Sequence, residues 1–390
     1  MNKLKVVFAG AISLLIVASM AFGSVSLSFA KSKSQLPQDL AKNAKSAVLV
    51  DYDTGTVVFD KNPDDRYPIA SMVKIMTLLL VCQDIQDGLL TVNTDVAISE
   101  NAASMGGSQA FLDANTQYKA GELVKSIVVA SANDSCVALA EHLSGAVESF
   151  VSRMNAKAGE LGMNNTNFVN CTGLPAPNGY SSAKDVSTMM RALLRHQLFY
   201  QYASVWTFDF AHNSGRTTTL TNTNKLINAY NGCDGGKTGF TQEAKYCLAA
   251  TAKRGNTRLI SVVIGENDSK VRNFEVSSLL NYGFGNYETR QLVFREQPIQ
   301  DIVVNRARQP LLPVAAKDDY FCFGKKTART NTTYQVNIEV DRAPISKGQK
   351  VGTLNIVQDG NVCAKLDLIA TKDISQVEFV DILLQVAAEW

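Results

Sequence analysis

The sequence predicts an α+β domain followed by a small all-β domain. Strand-like patterns stand near both ends of the first 290 residues, helical patterns lie between them, and short alternating strands fill residues 299–369. A sheet assembled from distant segments and covered by helices is the arrangement that such an order favours. The predicted segments are an export signal at 1–30, the α+β domain at 31–290, the β-rich domain at 291–372 and an amphipathic tail at 373–390.

The first 30 residues are typical of an export signal. Lys3 and Lys5 form a basic head, residues 6–22 are apolar apart from Gly10 and two serines, and small residues end the segment at Ala30. This pattern predicts cleavage after Ala30. An uncleaved membrane anchor is the alternative, because the apolar run approaches spanning length. Both interpretations predict an exported protein, either peripheral to the membrane or secreted.

Charge and cysteine content exclude several classes of function. Without residues 1–30 the chain has 36 basic and 36 acidic residues, so it lacks the basic surface of a nucleic-acid-binding protein. Seven cysteines and three histidines show no zinc-ligand spacing, so we expect neither a metal nor another cofactor. Most of the thiols are expected in the core. One or two disulfides remain open in an exported protein, with no pairing indicated.

The elements of the α+β domain follow from local patterns. Residues 46–51 and 56–59 are two short strands joined by a Thr-Gly turn. Residues 71–85 are apolar on nearly every side, which predicts a helix buried in the core. The remaining predictions are helices at 121–130, 134–142, 147–161, 183–196 and 269–280, and strands at 245–252 and 258–264.

The C-terminal third is predicted to change character. Alternating runs such as 334–340 and 351–357 are separated by Pro, Gly and charged turns, which indicates a small all-β domain. Residues 376–390 carry an apolar stripe that ends at Trp390, with acidic residues on the opposite side, and this predicts an amphipathic helix. The helix either binds the membrane surface or packs on the β domain.

Three short patterns carry the residue types of a catalytic site: Ser71-x-x-Lys74, Ser131-x-Asn133 and Lys237-Thr238-Gly239. The first pattern also occurs at Ser28 and Ser181, so its context has to separate signal from chance. Ser71 and Lys74 open the buried helix, where residues three apart share a face and the helix dipole favours a developing anion. The alternative is a serine N-cap followed by a solvated lysine.

A lysine on so apolar a helix is a candidate general base. Burial and a second nearby cation lower the pKa of a lysine, and Lys237 is the candidate cation. No histidine lies near the three patterns, which disfavours a Ser-His-Asp site. Ser131 and Asn133 are interpreted as a proton-relay hydroxyl and an amide that holds a substrate carbonyl, or alternatively as a helix cap.

The third pattern leads into a predicted strand. Lys237-Thr238-Gly239 can therefore pair with an extended peptide, while Gly239 allows close approach of the backbone. A simple glycine turn is the alternative interpretation.

Seven blocks in a fixed order make the chain similar to the serine-type D-Ala-D-Ala carboxypeptidases, the low-molecular-mass penicillin-binding proteins. The blocks lie at Ser46–Gly55, Pro68–Thr77, Ala130–Asp134, Leu161–Met163, Gly173–Leu174, Leu220–Leu226 and Asp234–Thr241. The resemblance covers about residues 42–290 and implies a penicillin-binding or β-lactamase-like serine peptidase fold. The β domain and the tail also resemble that family's accessory domain and membrane anchor.

The resemblance implies a role for each motif residue. Ser71 would be the acylated nucleophile and Lys74 its base, with Ser131 and Asn133 as the second catalytic element. Lys237 and Thr238 of the Lys-Thr-Gly239 motif would hold the substrate carboxylate, and the N–H groups of Ser71 and Phe240 would form the oxyanion hole. Some members carry an arginine where this chain has Thr223, and Arg272 is the candidate replacement. Implied partners are peptidoglycan stem pentapeptides, β-lactam antibiotics and, through the tail, the membrane surface.

Two other functions remain open. A β-lactamase needs a carboxylate that activates water, and Glu160 has a Glu-x-x-x-Asn spacing with Asn164. Glu160 stands at the end of a predicted helix, however, and is interpreted as a solvated residue. A catalytically silent wall-binding scaffold is the other alternative. All three motifs are intact, which disfavours it, and acylation by labelled penicillin discriminates a scaffold from an enzyme.

Overall fold

A computed structural model describes residues 40–328 and 331–380 of the chain. The predicted export signal and the last ten residues of the predicted tail lie outside the described residues. Within them, no helix is both long enough and apolar enough to cross a membrane.

A five-stranded antiparallel sheet organises the first domain. Its strand order is β2-β1-β9-β8-β7, so the N-terminal hairpin joins three strands that follow about 180 residues later. This confirms the prediction of a sheet built from distant segments. The strands are β1 (Ser46–Asp51), β2 (Val57–Lys61), β7 (Cys233–Thr241), β8 (Lys245–Arg254) and β9 (Thr257–Glu266).

Helices and two short hairpins connect the two parts of this sheet. The helices are α1 (Lys74–Gln86), α2 (Glu100–Ala103), α3 (Ala120–Ala130), α4 (Asn133–Ser144), α5 (Val147–Glu160), α6 (Ala183–Leu193), α7 (Gln197–Ala203) and α8 (Leu226–Ala229). The hairpins are β3 (Asp95–Ala97) with β4 (Gln117–Lys119), and β5 (Thr207–Ala211) with β6 (Thr217–Thr221). Helix α9 (Ser269–Asn286) follows β9 and packs against it, as α6 also does.

Helix α1 is buried on every side, as its sequence predicts. Ten of its 13 residues are buried, including the charged Lys74 and Asp84. The structure corrects the start of this element: Ser71 lies in a 3₁₀ turn, Ala70–Val73, that precedes the α-helix. The cause is the backbone of Ala70, which has a φ of 47° and therefore cannot continue a right-handed helix backwards.

The second domain is all-β, as predicted. It contains the sheet β11-β12-β16-β15-β14 and the separate pair β10 with β13. Its core is formed by aliphatic residues such as Val304, Leu312, Val314, Leu354 and Leu368. The strands are β10 (Tyr287–Val293), β11 (Pro298–Val303), β12 (Leu311–Ala316), β13 (Tyr320–Lys325), β14 (Thr332–Ile338), β15 (Lys350–Gln358) and β16 (Asn361–Ala370).

The start of the predicted tail helix is wrong by three residues. Ile374 forms a β-bridge with Ile345, and Gln376 forms one with Ala307, so these residues belong to the β domain. Helical backbone begins only at Phe379. The backbone hydrogen bonds at these bridges hold residues 374–376 against the β domain, so the helix begins only after them.

The seven cysteines are free thiols, and five of them are buried: Cys82, Cys136, Cys171, Cys233 and Cys247. The described part of the chain contains no group of three or more His, Cys, Asp and Glu side chains placed to hold a metal ion.

Candidate active site

Ser71 and Lys74 meet at the N-terminal end of α1. The Nζ of Lys74 donates to Ser71 Oγ at 3.1 Å and to the carbonyl oxygen of Thr172 at 2.5 Å. The Lys74 side chain is fully buried, and this burial lowers its pKa. A lysine with a lowered pKa has a larger neutral fraction at a given pH, and the neutral amine is the form that can accept a serine proton.

Two glycines allow the chain to close around the backbone of Ser71. A Cβ on Gly173, whose φ is 81°, would lie 2.0 Å from the carbonyl oxygen of Ala70. A Cβ on Gly239 would lie 2.6 Å from the carbonyl oxygen of Ile69, so a glycine here lets strand β7 approach the turn that carries Ser71. The loop at 170–176 and strand β7 are therefore in direct contact with the turn that carries Ser71.

Ser131 and Lys237 form a second serine–lysine pair. The Nζ of Lys237 donates to Ser131 Oγ at 2.8 Å and to its neighbour's carbonyl oxygen, that of Thr238, at 3.1 Å. Lys237 is buried, and burial together with the positive charges of Lys74 and Arg272 moves its pKa well below the usual value. The positive charge of Lys74 therefore disfavours a second positive charge on Lys237 in the same buried region.

Ser131 links helices α3 and α4 in a left-handed conformation. Its φ of 66° ends α3, and α4 begins two residues later at Asn133. A serine in this region of φ and ψ is uncommon and costs conformational energy, so the surrounding contacts must hold it there. In this conformation the Ser131 hydroxyl accepts the hydrogen bond from Lys237 Nζ.

Asn133 does not cap α4 with its side chain. Its Nδ2 donates to the carbonyl oxygen of Gly106 at 2.7 Å, while its Oδ1 is buried and has no hydrogen-bond partner among the described residues. The atom without a partner is therefore the acceptor oxygen, and the predicted contact between the Asn133 amide and a substrate carbonyl stays a prediction, because Nδ2 has a second hydrogen. A buried acceptor without a partner costs about 1–3 kcal/mol. An N–H group of a ligand would satisfy it.

Thr238 and Thr223 hold each other through their hydroxyl groups. Thr238 Oγ1 donates to Thr223 Oγ1 at 2.8 Å, so Thr223 contacts the Lys-Thr-Gly strand directly. Thr223 is fixed from the other side by a backbone hydrogen bond from its N–H to the carbonyl oxygen of Val129.

Phe240 and Arg272 lie beside the two pairs rather than within them. Phe240 is 46% exposed, and its ring centroid lies 4.3 Å from that of Tyr246. Arg272 is buried, donates to Asn273 Oδ1 at 2.8 and 3.1 Å, and has its guanidinium 6.0 Å from the Tyr246 ring. The structure therefore brings Arg272 close enough to influence Lys237 electrostatically while its own hydrogen bonds go elsewhere.

Sequence reasoning missed two supporting groups. The buried carboxylate of Asp134 accepts hydrogen bonds from the backbone N–H groups of Ala110 and Leu112 at 3.0 and 3.2 Å, and so fixes the loop that also binds Asn133. An acidic residue directly after the Ser-x-Asn motif is the signal that could have indicated this. The carbonyl oxygen of Thr172, which binds Lys74, leaves no signal in the sequence, because every residue type has one.

Glu160 lies outside this site. It is the last residue of α5, its side chain is 63% exposed, and it pairs with Lys157 one turn earlier. The expectation that Glu160 is a solvated helix residue is confirmed. It does not occupy the place of a carboxylate that activates water beside Ser71.

Comparison with known proteins agrees with this geometry. Residues 31–268 match the D-alanyl-D-alanine carboxypeptidase family, and residues 287–376 match the C-terminal domain of penicillin-binding protein 5. The D-alanyl-D-alanine carboxypeptidase DacF of Bacillus subtilis is 39% identical over 97% of this chain and 98% of its own length. The DacA enzyme of Haemophilus influenzae is 35% identical over 85% of this chain and 86% of its own.

Solved structures lead to the same family. Penicillin-binding protein 5 from Haemophilus influenzae has a TM-score of 0.69 and 34% identity, covering 86% of this chain and 98% of its own. Penicillin-binding protein 6B from Escherichia coli has a TM-score of 0.67 and 28% identity, covering 87% of this chain and 98% of its own. The fold expected from the sequence is confirmed: a penicillin-binding-protein-like peptidase domain is followed in the chain by an all-β domain. The chain belongs to the D-alanyl-D-alanine carboxypeptidase family of serine hydrolases.

Proposed function

We propose that this carboxypeptidase removes the terminal D-Ala of peptidoglycan stem pentapeptides through an acyl-enzyme on Ser71. The observation that carries the assignment is the hydrogen bond between Ser71 and the buried Lys74, at the point where the chain closes around the serine backbone. Of the chain's three histidines, His142 is exposed on α4, His196 precedes α7 and His212 bonds to Tyr118 and Thr218. Lys74 is the residue hydrogen-bonded to Ser71, which makes it the base in this proposal.

In the acylation step, neutral Lys74 takes the proton of Ser71 while Ser71 Oγ attacks the carbonyl carbon of the penultimate D-Ala. The negative charge moves to the carbonyl oxygen, which accepts hydrogen bonds from the backbone N–H groups of Ser71 and Phe240. Preorganised donors of this kind stabilise the transition state more than the ground state. The contact of Gly239 with the Ser71 turn supports this arrangement, because it places the two backbones side by side.

Collapse of the tetrahedral intermediate breaks the peptide bond and requires a proton on the leaving amine. Ser131 can deliver it, since its hydroxyl is hydrogen-bonded to Lys237, which in turn resupplies the proton. D-Ala then leaves and water attacks the carbonyl carbon of the Ser71 ester. As the ester bond breaks, Lys74 returns its proton to Ser71 Oγ and the proton released by the attacking water passes through Ser131 to Lys237, so the shortened peptide is released and the enzyme is restored.

We assign three cationic or polar groups to binding of the terminal carboxylate of the substrate. Lys237, the Thr238 hydroxyl and, through its field, Arg272 surround one end of the site. A bound carboxylate favours the charged form of Lys237 and so opposes the pKa decrease caused by burial. Asn133 Oδ1 is assigned to a substrate N–H group, because it is the one atom of that side chain left without a partner.

Release of D-Ala tests the proposal. Incubation with a peptide that ends in D-Ala-D-Ala should release one free D-Ala per peptide, and labelled penicillin should remain attached to the protein. The absence of both signals would favour the silent scaffold. Rapid turnover of penicillin would favour the β-lactamase, against the position of Glu160.

We infer that the chain is exported and that its tail binds the outer face of the membrane. Phe379 and Val380 support this, because both are apolar yet 76% and 61% exposed. A helix packed on the β domain would cover them. The acidic residues of the tail oppose binding to anionic lipid, so the apolar stripe must supply the affinity.

Truncation tests the tail. Removal of residues 379–390 leaves the bridges of Ile374 and Gln376 in place, so the β domain keeps its contacts. We expect loss of co-sedimentation with liposomes and unchanged release of D-Ala. Equal sedimentation of the full and shortened chains would contradict a membrane role.

A further inference from the structure

A cleft that the steps described above do not use is lined by Ile69 and Ala70, which directly precede Ser71 in the chain. Its walls also include residues 167–170 and 173–176, Tyr180 and the end of β7 at Thr241. We call it the acyl-side cleft. Among the described residues that line it, Glu243 is the single charged side chain, and the others are apolar groups, hydroxyls, amides and glycines.

The direction of the bound substrate follows from the order of residues on β7, and this step rests on the proposed function. Lys237 and Thr238 take the terminal carboxylate, and Phe240 takes the scissile carbonyl. The substrate residues upstream of that carbonyl must therefore continue past Phe240 toward Thr241 and Glu243. At roughly 3.4 Å per extended residue, the side chain of the residue before D-Ala-D-Ala reaches the acyl-side cleft.

The chemistry of the cleft favours one class of side chain. Val169, Leu174 and Pro175 offer apolar surface to a chain of methylene groups, and Glu243 offers a carboxylate at the rim. Glu243 is exposed and, within residues 40–328 and 331–380, takes part in no hydrogen bond or ion pair. An aliphatic stem that ends in an ammonium group complements both features.

We propose that Glu243 is a specificity-determining residue that binds the side-chain ammonium of a diamino acid preceding D-Ala-D-Ala. The carboxylate takes no part in proton transfer at Ser71. It contributes to binding in the ground state and the transition state alike, so its effect falls on KM rather than on kcat.

Two matched peptides test this proposal. Nα-acetyl-Lys-D-Ala-D-Ala carries the free ammonium, and Nα,Nε-diacetyl-Lys-D-Ala-D-Ala carries a neutral amide of similar length. We expect the wild type to prefer the free amine by about two- to fivefold in kcat/KM, the range of a partly exposed ion pair, with the difference in KM. Added salt at 1 M should shrink this preference.

Variants of the carboxylate complete the experiment. Glu243→Gln should remove the preference and leave kcat/KM for the diacetylated peptide unchanged, which also shows that the variant is folded. Glu243→Lys should reverse the preference by like-charge repulsion. Glu160→Gln is the matched control, since it removes an exposed carboxylate that does not line the cleft and should keep the wild-type preference.

The outcomes separate the inference from the function on which it rests. Failure of the wild type to cleave either peptide would overturn the proposed function and the inference with it. Cleavage of both peptides with equal kcat/KM, or a preference that survives in Glu243→Gln, would overturn the role of Glu243 alone. Equal loss of both peptides in Glu243→Gln would indicate a general role and would also overturn the inference.

Discussion

The buried pairs Lys74 with Lys237 and Glu266 with Glu275 each bring like charges together, and they differ in what surrounds them. Lys74 and Lys237 each donate a hydrogen bond to a serine hydroxyl. Glu266, the last residue of β9, is buried near Glu275 of α9 and leaves its Oε1 without a hydrogen-bond partner among the described residues, while Glu275 accepts hydrogen bonds from the backbone N–H groups of Asn43 and Ala44 at 2.8 and 3.2 Å.

Both pairs contain a strongly shifted pKa. Burial and the charges of Lys74 and Arg272 lower the pKa of Lys237, while burial and the neighbouring Glu275 raise the pKa of Glu266 to about 8. A shifted pKa alone therefore does not identify a catalytic group. The hydrogen-bond partner identifies it. A serine hydroxyl has a proton that a neutral amine can accept, whereas backbone N–H groups only fix the position of the chain.

Replacement of the nucleophile should have the largest effect. Ser71→Ala removes the oxygen that Lys74 contacts, so release of D-Ala and covalent labelling by penicillin should both be abolished. Ser181→Ala is the control, because Ser181 lies in a second Ser-x-x-Lys sequence but bonds to Thr166 instead of a lysine. Persistent labelling of the Ser71 variant would mean that the lysine pair serves another nucleophile.

Loss of the base should come next. Lys74→Arg keeps the positive charge, but a guanidinium stays protonated and cannot accept the serine proton. Acylation by penicillin, measured as the rate of labelling, should fall by at least about a hundredfold, the low end of general-base contributions. A near-normal rate would place the base elsewhere.

A smaller effect is expected when the second lysine loses its charge. Lys237→Met removes the partner of Ser131 and a charged hydrogen bond to the substrate carboxylate, worth roughly 1.5–3 kcal/mol, so kcat/KM should fall about 10- to 100-fold. Steady-state release of D-Ala measures this loss, and an unchanged kcat/KM would contradict a role for Lys237 in binding the substrate carboxylate.

The sequence predicts much of this arrangement because its decisive features are local. The buried α1, the spacing of Ser71 and Lys74 and the need for a glycine at 239 all follow from short patterns. The pairing of Ser131 with Lys237 joins residues 106 positions apart, and only the resemblance to known carboxypeptidases placed them in one site.

What the sequence did not predict depends on tertiary contacts. The side chain of Asn133 is oriented by the hydrogen bond from its Nδ2 to the carbonyl oxygen of Gly106, which leaves its Oδ1 without a partner. The 3₁₀ turn at Ser71 results from the conformation of Ala70. Neither Gly106 nor Ala70 carries a functional side chain. The proximity of Glu266 and Glu275 likewise involves two separate elements, and the strand pattern at 258–264 gives no reason to expect a buried acid two residues later.

The smallest effect on activity is expected from the acidic pair, and it sharpens the comparison. The raised pKa of Glu266 means that the folded state holds a proton that the unfolded state has released above its ordinary pKa of 4.5. Stability from this group is therefore complete below pH 4.5 and is lost as the pH rises to about 8, by at most about 1.4 kcal/mol per pH unit. Glu266→Gln keeps a neutral donor toward Glu275 and has no proton to lose. The urea midpoint of the wild type should thus fall more steeply than that of the variant between pH 5 and 8, while release of D-Ala stays within about twofold.

Glu160→Gln should follow the wild-type slope, because an exposed ion pair has little linkage to folding. Parallel slopes for the wild type and Glu266→Gln would show that the acid pair ionises without cost. A large loss of activity would show that the two buried pairs are functionally connected after all.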